Sequence, residues 1–134
     1  MTDDAIWNAF AVRLGTFAAG MSPDVPVIYA GVHGTPPDTG SWIEARYFPN
    51  RTQKYGIANE GPISLVGFCQ ALVCVRPGAG LALDLVDLVV AHFDTGTVLG
   101  PAKVEMPPYV SSVIEESDRI MHPITIPYAA HGTR

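Results

Sequence analysis

The chain has 134 residues, the size of one domain with a core that needs no covalent staples. Its formal net charge is −5 and its eight lysines and arginines are scattered, which argues against the basic stripe of a protein that grips nucleic acid. Charged residues are only 16% of the chain against 48% hydrophobic ones, so part of its low-charge surface is expected to be covered by other subunits.

Thr2 followed by Asp3 and Asp4 forms a helix start, a side-chain cap with acids at the positive end of the dipole. Those acids stand where a signal peptide would carry basic residues, so no leader is expected. Ile6, Phe10, Leu14 and Phe17 then give one apolar stripe with Trp7 beside it. Gly20 closes the helix and Ser22-Pro23 prevents its continuation. Val27-Ile28-Tyr29 reads as a short strand, and residues 31–40, rich in glycine and proline, as an irregular loop. In the next strand Trp42, Glu44, Arg46 and Phe48 alternate with Ile43, Ala45 and Tyr47. Residues 50–62 are polar and glycine-containing, and a loop of that length reads as a projecting contact arm. Arg46, Arg51, Lys54 and Tyr55 are its candidate contacts to another subunit or partner.

Residues 63–75 form a strand apolar enough to be central and buried on both faces. Cys69 and Cys74 lie an odd number of residues apart in it, so they point to opposite faces and are expected as free thiols. No CxxC pair occurs, and His33, His92, His122 and His131 lack metal-ligand spacing. Arg76-Pro-Gly-Ala-Gly80 breaks the sheet and feeds a second helix over residues 81–93. Leu81, Leu85, Leu88, Val89 and His92 are expected on its inner face. Asp84 and Asp87 interrupt this longest apolar stretch, which therefore cannot span a membrane. Short strands at 97–99 and 103–106 follow, and Pro107-Pro108 introduces a last hairpin of residues 109–116 against 119–128.

In Arg119-Ile-Met-His-Pro-Ile-Thr-Ile-Pro-Tyr128 the residues Ile120, Ile124, Ile126 and Tyr128 share one parity and Pro123 and Pro127 the other. Both missing N–H donors therefore lie along one flank, which cannot carry a regular ladder. The expectation is an edge strand, protected by Pro123 and Pro127 from open-ended strand addition. Residues 1–130 then make a single domain and 131–134 a short tail. The fold class is α+β: one antiparallel-rich sheet with two amphipathic helices packed on one face and a C-terminal hairpin ending in that edge strand. The opposite face, to which Cys69, Ala71 and Val73 are assigned here, is not polar, a second reason to expect a neighbouring subunit.

The sharpest enzymatic signal is Asp-Thr-Gly, present at Asp38-Thr39-Gly40 and again at Asp94-Thr95-Gly96. Aspartic proteases pair two such carboxylates around one shared proton. Here Pro36-Pro37 precedes the first and a helix end precedes the second, where Asp and Gly are ordinary turn residues. A small aspartyl hydrolase using Asp38 and Asp94 remains the alternative of a different class. A monomeric ligand-binding module rimmed by residues 31–40 is a third. His92 and His122 read as core histidines, and no nucleophile elbow or phosphate loop is present. Arg76-Pro-Gly-Ala-Gly80 reads as a flexible turn before an anion cradle. No catalytic, cofactor-binding or metal residue is therefore assigned.

The first helix, the proline-rich loop before the strand starting at Trp42, the apolar strand ending at Val75 and the second helix follow a known plan. So does the closing run Asp118-Arg-Ile through Pro-Ile-Thr-Ile-Pro-Tyr-Ala. Together, over nearly the whole chain, they resemble the tail-terminator (tail-completion) proteins of long-tailed bacteriophages and phage-like gene-transfer particles. The resemblance implies a homohexameric ring that caps the head-proximal end of the tail tube, stops its polymerisation and offers a docking surface to the neck or connector. It implies partners limited to itself, the tube protein and the neck protein. DNA would pass through the lumen without sequence recognition, with no cofactor and no membrane, and assembly would take place in the host bacterial cytoplasm. Another neck or head-tail joining protein is the related alternative. The resemblance carries no catalytic motif and no named contact residues.

Overall fold

The computed structural model describes residues 3–21, 25–32, 34–54, 62–78 and 80–133. Helix α1 (Asp3–Ala19) buries Ile6, Phe10, Leu14 and Ala18, each four residues after the last, so one stripe faces the core. Phe17 packs at the margin of that stripe. The Gly20 N–H bonds the carbonyls of Thr16 and Phe17 and ends the helix as expected. The expected Thr2 cap lies outside the described residues.

Helix α2 (Leu83–His92) starts two residues later than its apolar run. It buries Leu85, Val86 and Val89, with Phe93 continuing the stripe. Leu81 and Leu88, expected on the inner face, are instead about half exposed. The steps of one, three and four from Leu85 define the stripe that meets the sheet, and Leu88 falls outside it. Arg13 of α1 donates from Nε and NH2 to the His92 carbonyl at 3.1 and 2.8 Å, satisfying a terminal acceptor and tying the two helices together.

The strands are β1 (Val27–Tyr29), β2 (Ser41–Lys54), β3 (Pro62–Val75), β4 (Val98–Leu99), β5 (Ala102–Val104), β6 (Tyr109–Val110), β7 (Ile114–Glu115) and β8 (Ile120–Thr133). They form one sheet in the order β1-β2-β3-β8-β5-β4, with β6 and β7 also paired to β8. The α+β class holds. The sheet is mixed, because β1 runs parallel to β2 while the other pairs are antiparallel. Residues 50–54, expected in a loop, continue β2 past a register shift between Pro49 and Thr52, and Pro62 already belongs to β3. The projecting arm is thus in part a hairpin, and residues 55–61 lie outside the described residues. Residues 131–133, expected as a tail, extend β8 opposite the first residues of β3.

Register sorts the long strands into two faces. Ile43, Ala45 and Tyr47 stand beside Val73, Ala71 and Cys69, and these beside His122, Ile124 and Ile126. With Ile6, Phe10, Leu14, Val89 and Phe93 they form the main core. Cys69, Ala71 and Val73 therefore face the helices, which corrects their assignment to the uncovered side: parity groups these residues but does not say which side the helices take. The other parity class places Trp42, Leu72, Cys74 and Met121 in a second, smaller cluster.

The C-terminal strand is not an edge. β8 pairs with β3 along its whole length, from Ile120↔Val75 to Thr133↔Pro62. Its other flank meets β7 at Met121 and Ile120, β6 at Thr125 and Ile124, and β5 at Ala129 and Tyr128. None of these registers includes Pro123 or Pro127. Their carbonyls do turn to this flank, accepting from the N–H of Ser111 at 3.0 Å and of Glu105 at 3.0 Å. The inference that one flank lacks a regular ladder holds, but that flank is closed by three short strands set between the missing donors. Pro123 and Pro127 thus punctuate an interior strand.

Candidate subunit interface

On the face of the sheet away from the helices, polar side chains grip a tryptophan. Trp42 is fully buried although neither α1 nor α2 covers it. The guanidinium of Arg76 lies 4.9 Å from its ring centroid and that of Arg119 lies 5.5 Å away. Each such contact contributes on the order of 0.5–2 kcal/mol. Arg76 also donates to the carbonyls of Pro37 at 3.0 Å and Asp118 at 3.0 Å, so it pins the proline-rich loop to the turn before β8. The indole N–H donates to Glu44 at 3.0 Å, and Arg119 pairs with the same carboxylate. The hydrogen bond from Arg119 holds the exposed Asp118 carboxyl below its usual range.

On the helix face, His122 is fully buried and its Nε2 accepts the Ala82 N–H at 3.4 Å, just before α2. Burial pushes its pKa down, since the charged imidazolium would be stripped of water there. Burial, then Arg13, likewise pushes down His92, whose ring lies 4.9 Å from that of Phe17. Cys69 and Cys74 are free and buried on opposite faces, as their spacing requires. Burial raises both thiols, Cys74 to about 12 with Glu44 adding to the effect, so neither is a nucleophile at neutral pH.

Among the described residues, exposed apolar side chains gather in several areas. Met106, Tyr109, Val110, Val113 and Ile114 are all 39–50% exposed along the ribbon that carries β6 and β7. Leu81, Leu83 and Leu88 are exposed around α2, where Leu85 and Leu88 line a cleft of about 610 Å³ reaching Met21 and Pro37. Val12 and Val32 border another of about 550 Å³ between α1 and β1. Exposed apolar side chains gathered in this way are the ordinary material of a contact surface.

Of the residues singled out as contacts, Arg46, Arg51 and Lys54 fall along one strand. Arg46 is half exposed on β2 and weakly paired with Glu44 at 3.5 Å. Arg51 and Lys54 belong to the same strand, and Tyr55 lies outside the described residues. β1 accompanies β2 only at residues 43–45, and among the described strands none lies beside the rest of that flank. The exposed ribbon and the Arg76–Trp42 clamp were not singled out by the sequence. The signal for the ribbon was present, since a flank interrupted at Pro123 and Pro127 admits only short, weakly packed strands.

The two Asp-Thr-Gly tripeptides do not converge on one cleft. Thr39 and Gly40 border the cleft beside α2, whereas Thr95 and Gly96 border one beside β5. Asp38 and Asp94 are both exposed, and Asp94 accepts the Thr95 N–H at 2.7 Å in an ordinary turn. Among the described residues no group of acids, histidines and cysteines is placed to hold a metal ion, and no helix is long and apolar enough to cross a membrane.

No curated protein matches the chain. Seven chains of solved structures do. One of them superposes with a TM-score of 0.78 at 25% identity, covering 97% of this chain and 96% of its own. A family model described as phage tail terminator protein matches residues 5–128.

Proposed function

Because the chain belongs to the phage tail terminator family, and is thus a structural component of a phage tail, we propose that it acts as a homohexameric ring at the head-proximal end of the tail tube. There it stops polymerisation and presents the surface on which the neck or connector docks. The family match over residues 5–128 carries this reading. The exposed apolar ribbon and α2 leucines support it, because a ring needs two different sticky surfaces on each copy. A heterologous contact that closes on itself ends growth, whereas one that fails to close continues a filament. The function is geometric and uses no catalytic group or cofactor. The partners are further copies of the chain, the tube protein and the neck protein, and assembly takes place in the host cytoplasm.

DNA passes through the lumen without being held, since a chain with net charge −5 releases few counterions on contact with phosphates. The test is assembly of tube protein with and without this chain, followed by electron microscopy. With it, tubes carry a ring at one end and stop growing. Tubes that elongate regardless, with the chain remaining monomeric beside them, would refute the proposal.

A further inference from the structure

We propose that residues 81–95, α2 with its flanks, form a hinged flap that leaves the sheet when the buried ring of His122 takes up a second proton. The device goes beyond the ring reading and does not depend on it. Glycines at positive φ stand at both ends of the segment, Gly80 at 87° and Gly96 at 90°. Neither would bring an added Cβ within 4 Å of another part of the chain, so both are open backbone joints. Gly96 is the fixed one, since its N–H bonds the Val104 carbonyl at 2.9 Å. Alongside α2 the cleft of about 610 Å³ separates Leu85 and Leu88 from Met21, Pro26 and Pro37, which leaves the helix free volume on that flank.

The stripe of Leu85, Val86, Val89 and Phe93 holds the flap down, with a side-chain tie at each end. Next to the fixed end Arg13 donates to the His92 carbonyl, a contact between groups that do not titrate near neutral pH. At the other end the N-cap Ala82 supplies no side-chain cap, and its N–H donates to Nε2 of His122 at 3.4 Å. Nδ1 of that ring meets no partner among the described residues. A second proton makes Nε2 a donor aimed at another donor, and it places a charge in a fully buried ring. Nothing around the ring offsets this. Val73 of β3 stands beside it, while Glu115 of β7, opposite Ile120, and Asp84 and Asp87 of α2 are exposed. Arg76, Arg119 and Glu44 gather about Trp42 on the opposite face. Opening returns the ring to water, so acid below about pH 6.5 favours the open flap.

The experiment is amide hydrogen exchange on the full chain at pH 7 and pH 5, with each rate divided by its intrinsic value. In the wild type, α2 amides should be less protected than those of α1 at both pH values, because the flap opens without global unfolding. On acidification their protection should fall severalfold, with a ceiling of about thirtyfold set by an open-state pKa near 6.5. His122→Gln keeps an acceptor for the Ala82 N–H and should remove most of that fall. His92→Gln should retain it, since that ring packs on Phe17 next to the fixed end. Should His122→Gln not fold, the wild type decides alone: by NMR the His122 ring and the α2 amides should titrate together. Protection of α2 equal to that of α1 overturns the flap. So does an acid-induced fall that survives His122→Gln or vanishes in His92→Gln, or a His122 titration that leaves α2 unmoved.

Discussion

The two faces of the sheet are dried by different means. On one, Ile43, Ala71, Ile124 and Ile126 meet the apolar stripes of α1 and α2, and apolar burial is the main source of stabilisation. On the other, Trp42, Leu72, Cys74 and Met121 lie away from α1 and α2; two arginines flank the indole, and one of them, Arg76, ties the proline-rich loop to the turn before β8. A small domain can therefore seal both sides of a sheet with helices enough for only one, provided the second cover spends its donors on carbonyls that would otherwise need water.

Trp42→Ala tests the polar cover most severely. It removes the ring that both arginines grip and should cost about 3–5 kcal/mol, read as a lowered urea midpoint. Ile126→Ala, its counterpart under the helices, should cost about 2–5 kcal/mol in the same measurement. A Trp42→Ala loss under ~1 kcal/mol would mean the second face needs no seal. Gly67→Ala should cost about 1–3 kcal/mol: an added Cβ would lie 2.6 Å from the Tyr128 hydroxyl and 2.8 Å from the Phe48 carbonyl oxygen, and the backbone contact cannot rotate away. Arg76→Ala should cost about 1–2 kcal/mol and raise amide exchange at residues 36–40 more than in α1.

The smallest effect is pH dependence on the helix face. His92 and His122 have folded-state pKa values below the ordinary 6.5, so the unfolded chain binds more protons as the medium acidifies. Their contribution is fully present above about pH 6.5 and is lost as pH falls through the folded values. His122→Gln keeps an acceptor for the Ala82 N–H without titrating, and should flatten the decline in urea midpoint between pH 7 and pH 5. An unchanged slope would exclude His122 as a source.

Much of the site was legible as residues and little as geometry. The Trp42, Glu44, Arg46 and Phe48 parity class is readable from alternation, but nothing local says that Arg76 and Arg119, 34 and 77 positions after Trp42, come to lie over its ring. Arg46, Arg51 and Lys54 were visible as the nearest approach to a basic cluster. That they share one strand whose outer flank β1 leaves uncovered depends on pairings at long range. Gly67 gave no sign of its role, since the Tyr128 ring that requires it arrives from another strand.

By itself the sequence determined the order of elements, the stripe of α1, the opposite placement of the two thiols, and the inability of β8 to sustain a regular ladder on its proline flank. These follow from backbone periodicity and donor chemistry, which act within a few residues. Only the tertiary structure decided that β8 lies inside the sheet, that Cys69, Ala71 and Val73 turn toward the helices, and that arginines seal the other side. A period of two divides residues into classes, and the partners that distinguish one class from the other come from distant parts of the chain.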